Sequence, residues 1–258
     1  MKLVTWNING IRARHARVLA WVQAKRPDVL CLQELKNEDA TSFFEPIRAL
    51  GYEIALFGQK AYNGVAIVAR GPLTDVRRGF ADENEDDPQA RLLTATAGGL
   101  RVTCAYFPNG ESTTSAKFPY KLSWMARLRA RLAADVGGYP ESVLCGDFNV
   151  APEDVDAHDP KVWRGKVLFT DEEKAALAAI REVGLVDVVR RAQPEGPLFT
   201  WWDYRTRGFS RDLGMRIDHV YATPRVAERV VGVEVDREER GGEQPSDHAP
   251  LTVELRDP

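Results

Sequence analysis

The chain has 258 residues, 44% of them hydrophobic and 28% charged, enough for one large α/β domain or two small ones and ordinary for a soluble globular protein. No apolar run approaches the roughly 20 residues of a bilayer span, which excludes a membrane-embedded class. A formal net charge of −3 and a pI near 5.9 argue against a uniformly basic nucleic-acid binder, unless the charge is segregated.

The elements follow in chain order. Lys2–Trp6 reads as a strand from the first residues, with no long apolar leader core, and Asn7-Ile8-Asn9-Gly10 as a turn. Residues 13–25 carry Val18, Leu19 and Val22 at helical spacing, and Pro27 closes the helix. Val29–Gln33 is a short buried-strand run that ends in Glu34, and strands near Glu53–Phe57 and Val65–Ala69 follow. The acidic run from Asp82 to Asp87 reads as a solvated loop, before strands at 91–96 and 100–106. A helix over 119–136 sets Trp124, Leu128 and Leu132 on one face. Base is concentrated around Arg12 to Arg17, Lys117 to Arg131 and Arg205 to Arg216.

Next comes Ser142–Gly146, a strand that ends in LCGDFNVAP, with a carboxylate and a carboxamide two residues apart. Alternation in extended chain predicts Asp147 and Asn149 on one face, with Phe148 turned toward the core. An Asx-type turn before Pro152 is the plainer alternative. Residues 170–183 form an amphipathic helix with a capping box from Thr170 to Glu173. Strands at 217–222 and 251–254 complete the set. Cys31, Cys104 and Cys145 lie in apolar runs without ligand spacing, so they read as small buried hydrophobes of a reducing, cytoplasmic protein.

The chain carries a faint internal echo. A strand, a helix and a strand ending in Glu34 are answered by strand 100–106, the second helix and a strand ending in Asp147. The expected fold is therefore one α/β domain spanning residues 1–258. It is a four-layered sandwich of two packed mixed sheets with helices outside, built from two pseudo-symmetric halves that each deliver a carboxylate at a strand end.

Polar groups recur at these strand ends: Asn7, Gln33-Glu34, Tyr106 to Asn109, Asp147 to Asn149, Asp218-His219 and Ser246-Asp247-His248. Singly, each has a structural explanation as a turn former, cap or core residue. Together, several carboxylates converging on one point repel unless a cation sits among them. Hard oxygen donors without cysteine select Mg²⁺, with Mn²⁺ as substitute, over zinc. Such a site beside a His–Asp pair suits attack of water on a phosphate.

The motifs WNING, LQE, YFPNGES, GDFN, RIDH and SDHAPL, in order from Trp6 to Leu251, resemble the exonuclease III/AP endonuclease family of the endonuclease–exonuclease–phosphatase fold. Residues 199–218, FTWWDYRTRGFSRDLGMRID, are similar to that family's DNA-facing loop. The resemblance implies a Mg²⁺-dependent DNA-repair phosphodiesterase that cuts 5′ to abasic sites. It also implies 3′→5′ exonuclease and 3′-phosphatase or phosphodiesterase activity on double-stranded DNA with abasic sites or blocked 3′ ends, by a monomer without a membrane partner. It assigns Tyr106, Asp147, Asn149, Asp218 and His248 to catalysis. Glu34 becomes the principal metal ligand with Asn7 beside it; some descriptions of the family add Asp147, Asn149, Asp247 and His248 as a second metal position, and one ion or two stays open. Asn109, Trp201, Arg207, Arg211, Met215, Arg216 and Ile217 are assigned to DNA, with Trp201, Met215 and Ile217 walling a pocket for an extruded sugar. Asn9 stands where some members carry Asp. The alternatives are an RNA- or phospholipid-directed phosphodiesterase of the same fold, or a non-catalytic nucleic-acid-binding regulator on the scaffold.

Overall fold

The computed structural model describes residues 1–80 and 87–257; the acidic run from Asp82 lies outside the described residues up to position 86. The elements of the first half are β1 (Lys2–Asn7), α1 (Ile11–Lys25), β2 (Val29–Gln33), α2 (Thr41–Arg48), β3 (Glu53–Phe57), β4 (Val65–Ala69) and β5 (Leu73–Arg78). Next come β6 (Leu92–Ala97), β7 (Leu100–Tyr106), α3 (Lys117–Gly138), β8 (Ser142–Asp147), α4 (Pro160–Trp163), α5 (Asp171–Arg181), β9 (Val186–Asp187) and α6 (Val188–Ala192). The chain closes with β10 (Trp201–Trp202), β11 (Gly214–Met215), β12 (Asp218–Ala222), α7 (Pro224–Ala227), β13 (Val230–Val235) and β14 (Leu251–Leu255).

Two six-stranded sheets run in the orders β13-β14-β1-β2-β4-β3 and β5-β6-β7-β8-β12-β9. The echo in the sequence has a physical counterpart. Each sheet holds a parallel pair at its centre, β1 with β2 and β7 with β8, each joined by a crossover helix, and each pair is flanked by antiparallel strands. The apolar faces of the two sheets meet in one core that mixes Leu3, Val29 and Cys31 with Val102, Cys104, Cys145 and Val220. The outer faces pack against helices: α1 and α2 through Trp21, Val22, Phe44 and Ile47, and α3 and α5 through Trp124, Leu128, Leu177 and Ile180. This is the four-layered sandwich expected. The three cysteines are free and buried in or against the central layer.

Elements missed by pattern are short or bury little: α2, α4, α6, α7 and β9 span two to eight residues each. β5 and β13 alternate irregularly between exposed and half-buried, and β10 and β11 are two residues each. The capping box forms as expected, with Thr170 Oγ1 accepting from Glu173 N at 3.1 Å and Glu173 Oε2 accepting from Thr170 N at 3.0 Å. Among the described residues no helix is long and apolar enough to cross a membrane.

Candidate active site

Register places the chemistry. In the second sheet Tyr106 lies opposite Asp147, and Asp147 opposite Asp218, so three strands end side by side with a polar residue each. Gly146 makes this possible: at φ 149°, a Cβ there would sit 1.8 Å from the Ala105 carbonyl oxygen. Only glycine lets β8 approach β7 so closely. In the first sheet, β1 and β2 end together at Asn7 and Gln33, with Glu34 following.

The two sheets are joined at this rim. Asn7 Nδ2 donates to Glu34 Oε1 and to Asp147 Oδ2, both at 2.9 Å, and Tyr106 Oη donates to Glu34 Oε1 at 2.9 Å. Ser246 Oγ donates to the Asn7 carbonyl at 2.6 Å and accepts from His248 N at 3.2 Å. That loop sets His248 Nδ1 2.8 Å from Asp218 Oδ2, with Nε2 3.7 Å from Asp147 Oδ2. Asn9, Glu34, Lys36 and Asn149 have φ between 48° and 56°. Left-handed backbone at Glu34 and Lys36 costs on the order of 1–3 kcal/mol per residue and is held by the surrounding contacts.

Asp147 and Asn149 do not share a face by strand alternation, as the sequence suggested. The strand stops at Asp147, whose Oδ1 accepts from Asn149 N at 2.9 Å, so the Asx-type turn is what forms. Phe148 does turn inward, stacking on Phe107 with centroids 4.4 Å apart. Asn149 is oriented by a chain fixed at both ends by backbone. Glu111 N donates to Asn109 Oδ1, Asn109 Nδ2 donates to Asn149 Oδ1 at 2.9 Å, and Asn149 Nδ2 donates to Phe107 O at 3.1 Å.

Electrostatics separates the titratable groups. Burial raises the Asp147 pKa; His248 pulls it down while Asp218 and Glu34 push it up, and it stands at about 7. Burial works against a charged His248, but Asp218 and Asp147 outweigh it and raise His248 to about 10. Burial also raises Glu34, yet Lys36, 2.7 Å away, and Asn7 bring it below the ordinary carboxylate value. Tyr106 is pushed well above the usual phenol range by burial and by Glu34, so it stays a neutral donor.

The donor set fits a hard divalent cation. Asp147, Asp218 and His248 bring one polar atom each within 4.8 Å of one another, and Asp218 Oδ1 is buried without a hydrogen-bond partner. With His248 engaged by Asp218 and held cationic, the carboxylate oxygens of Asp147 and of Glu34, joined by the Asn7 amide, are the donors left for an ion. The raised Asp147 pKa reports first its burial and then the nearby Asp218 and Glu34 carboxylates, a charge that such an ion offsets. Asp247 stands at the edge of the cluster with both oxygens engaged, by Asn9 Nδ2 at 2.9 Å and Trp201 Nε1 at 3.0 Å.

The DNA-facing assignments divide. Arg207 and Arg211 are exposed on the loop between β10 and β11, Asn109 is exposed, and Trp201 is half-buried. Arg216 is not at the surface. It is fully buried, with Nε and Nη2 on the two oxygens of Asp156 at 2.7 and 3.1 Å and Nη1 on Asp187 at 2.9 Å. A guanidinium so enclosed cannot reach a phosphate. Met215 and Ile217 are 0% and 1% exposed, packed with Leu168 and Phe169 behind Trp201, so they back that ring and present no wall of their own. Leu168, in the same cluster, holds φ 79°, a conformation leucine rarely adopts.

Sequence reasoning missed Lys36, whose Nζ joins Glu34 to Asn9 Oδ1, and Lys121, which is buried beneath Asn149. It also missed Tyr62 and Arg91. They line an open groove of about 810 Å³ that runs from Glu34 and Tyr106 past Asn109 to Lys117. Arg91 lies 4.8 Å over the Tyr106 ring. The nearest signal in the sequence was the basic content of residues 117–131, which marks one bank of this groove.

A family model for the endonuclease/exonuclease/phosphatase family matches residues 4–248. Exodeoxyribonuclease III of Haemophilus influenzae is 37% identical, with 99% of this chain and 100% of that protein covered. Among solved structures, the 3′ phosphatase NExo from Neisseria bound to product DNA hairpin superposes with a TM-score of 0.97 at 40% identity, covering 99% of both chains. An AP endonuclease from Archaeoglobus fulgidus gives 0.93 at 37% identity over 99% of both. Full-length likeness, two sheets whose polar strand ends meet at one rim, and a His–Asp pair beside clustered carboxylates all lead to one assignment: the chain belongs to the endonuclease/exonuclease/phosphatase family.

Proposed function

We propose that the chain is a Mg²⁺-dependent DNA-repair phosphodiesterase. It hydrolyses the bond between phosphorus and the 3′ oxygen, both 5′ to abasic sites and at blocked or recessed 3′ ends. The observation that carries this reading is the buried rim where the Asn7 amide joins Glu34 to Asp147 and Asp218 holds His248 at 2.8 Å, 3.7 Å from Asp147, beside a groove lined by Glu34 and Tyr106.

Glu34 and Asp147 would hold the ion, clamped by the Asn7 amide; bound there, it neutralises charge on the phosphoryl and leaving oxygens. Asn7 Oδ1 already accepts from Asn9 N at 2.9 Å, and Asp247 is occupied by Asn9 and Trp201, which favours orienting roles for both. His248, kept cationic by Asp218, binds a non-bridging phosphate oxygen. Asp147, whose Oδ2 lies 3.7 Å from His248 Nε2 at the head of the cluster, accepts the proton of the attacking water. Asn149 has one amide N–H on Phe107 O and a second left for the phosphoryl group, and the neutral Tyr106 hydroxyl is a further donor. The leaving 3′ oxygen takes up a proton to become a 3′-hydroxyl, and the phosphorus leaves as a 5′-phosphate, or as inorganic phosphate from a 3′-phosphorylated end.

Substrate contact uses Trp201, Asn109, Arg207 and Arg211 with the groove residues Tyr62 and Arg91. The filled space behind Trp201 favours 3′-end processing as the larger share, because an extruded sugar must displace Leu168 or Met215 to enter there. Trp201→Ala is expected to weaken abasic incision by about 1–3 kcal/mol, roughly 5- to 150-fold, the scale of a lost stacking platform. Mn²⁺ affinity measured alongside should stay near wild type, and equal loss in both would place Trp201 in the fold alone.

Metal and proton compete for Asp147, and a second cation beside it disfavours the charge on His248, which fixes a sign. Asp147 rises from an ordinary 3.8 to about 7, so folding favours its protonated form and its contribution to stability falls as pH climbs from about 4 to about 7. His248 rises from 6.5 to about 10, so its contribution is complete below 6.5 and is lost as pH climbs to about 10. Both fall with rising pH in the metal-free protein. The increase in Tm on adding Mg²⁺ should therefore be larger at about pH 8 than at about pH 6. An increase that shrinks with pH would contradict the assignment.

The deciding assay uses a labelled duplex with one tetrahydrofuran abasic analogue, a recessed duplex and a 3′-phosphorylated duplex, each with Mg²⁺ and with EDTA. Metal-dependent cleavage of these supports the reading. Hydrolysis of RNA or phospholipid in their place would turn it to another member of the fold, and binding without cleavage to a regulator.

A further inference from the structure

Lys121 lies within the segment that the sequence marks as basic, yet its side chain is 0% exposed and turned away from the groove. All three N–H groups of its ammonium are engaged. One donates to the Asn149 carbonyl at 2.6 Å, one to the Asn109 carbonyl at 3.2 Å, and one to Glu173 Oε1. Glu173 is itself anchored at the start of α5. Its Oε1 also accepts from Leu168 N at 3.1 Å, and its Oε2 from Thr170 N and Thr170 Oγ1 at 3.0 and 2.8 Å.

Asn109 and Asn149 are the two residues whose side chains pair at 2.9 Å to aim the Asn149 amide. They come from different loops, after β7 and after β8, 40 residues apart. Asn149 has left-handed backbone at φ 50°, so the direction of its carbonyl needs an external anchor. Lys121 is the group that touches both backbones. A buried lysine with every donor satisfied by two such carbonyls and one carboxylate is more than packing requires, because apolar residues of similar volume fill a core at equal or lower cost.

We propose that Lys121, held by Glu173, is a positioning residue for the reaction: it ties the Asn109 and Asn149 carbonyls together so that the Asn149 amide faces the scissile phosphate. This rests on the role given above to Asn149. The Thr170–Glu173 capping box thereby acts as the far support of the site.

The test removes the charge without stranding its partner. Lys121→Met alone leaves Glu173 buried and unpaired, so the informative variant is the pair Lys121→Met with Glu173→Gln. Tm, kcat and KM are measured on a 3′-phosphorylated duplex, with Asn149→Ala as the reference. The expected result is a Tm restored toward wild type relative to Lys121→Met, KM unchanged, and kcat lowered about tenfold or more. The side-chain amide resonance of Asn149 should shift with it. Recovery of both Tm and kcat in the double variant would overturn the proposal and leave Lys121 a structural ion pair. Should the apolar pair fail to fold, Lys121→Gln with Glu173→Gln keeps a polar head in the same space and is judged on the same two outcomes. A fully active Asn149→Ala would instead remove the role of Asn149 itself, which separates failure of the site reading from failure of this inference.

Discussion

Asp147→Asn is expected to lower kcat by about 10³-fold, within the ~10²–10⁴ range of a lost general base, with substrate KM little changed. The side chain sits where four constraints meet. Its Oδ1 accepts from Asn149 N, its Oδ2 accepts from Asn7 Nδ2, His248 lies 3.7 Å off, and the strand pairing to Tyr106 and Asp218 fixes its backbone. Asparagine is the same size, but it offers one oxygen to two donors, so an N–H must face either Asn149 N or Asn7 Nδ2. The base is lost and the clamp on Glu34 loosens together. Single-turnover kinetics on a 3′-phosphorylated duplex measures the chemical step. A variant within about threefold of wild type would remove Asp147 from proton transfer, the smallest change that a lost base permits being far larger.

The second large effect is on charge. Asp218→Asn should cost about 10²-fold at pH 8 and clearly less at pH 6. Asp218 is the main group raising His248, through a 2.8 Å contact in a buried site. Without it, the His248 pKa falls from about 10 toward the ordinary 6.5. The imidazole is then still cationic at pH 6 and mostly neutral at pH 8, so the ratio of wild-type to variant kcat/KM grows as pH rises. His248→Asn removes the cation at every pH and should give a ratio that is flat by comparison. A flat ratio for Asp218→Asn would show that Asp218 acts otherwise than through that charge.

Much of the architecture is legible in the sequence because burial is regular where it matters most. The runs Val29–Gln33, Leu100–Tyr106 and Ser142–Asp147 are buried almost throughout, and only strands enclosed on both faces read that way. Their polar terminal residues then stand out as groups with no reason to be at a strand's end. That contrast groups Asn7, Glu34, Tyr106, Asp147 and Asp218 from the sequence, and in the structure they stand around one rim. Edge strands such as β5 lack the contrast, since one side of an edge faces water and the alternation blurs.

The misreadings share a cause. Arg216 reads as a phosphate contact because arginine in a basic loop is usually exposed. Its partners Asp156 and Asp187 are 60 and 29 residues away, and no local pattern announces them. Lys121 is hidden for the same reason, two of its acceptors being backbone carbonyls that carry no residue signature and the third, Glu173, lying 52 residues away. Likewise, Asp147 and Asn149 look like neighbours on a strand face until Asn149 takes left-handed backbone and the turn closes. Charged residues paid for by long-range partners are what a single sequence conceals.

Titrating Mn²⁺ into the wild-type protein, Glu34→Gln and Asp147→Asn by calorimetry at pH 7.5 puts the whole account to one test. The two carboxylates come from the ends of different sheets and share the Asn7 amide as a donor. If both sheets hold the same ion, either substitution alone weakens binding by about tenfold or more, roughly 1.4 kcal/mol. Affinity unchanged in Glu34→Gln would mean that the first sheet contributes nothing to metal binding, and the shared centre would not exist.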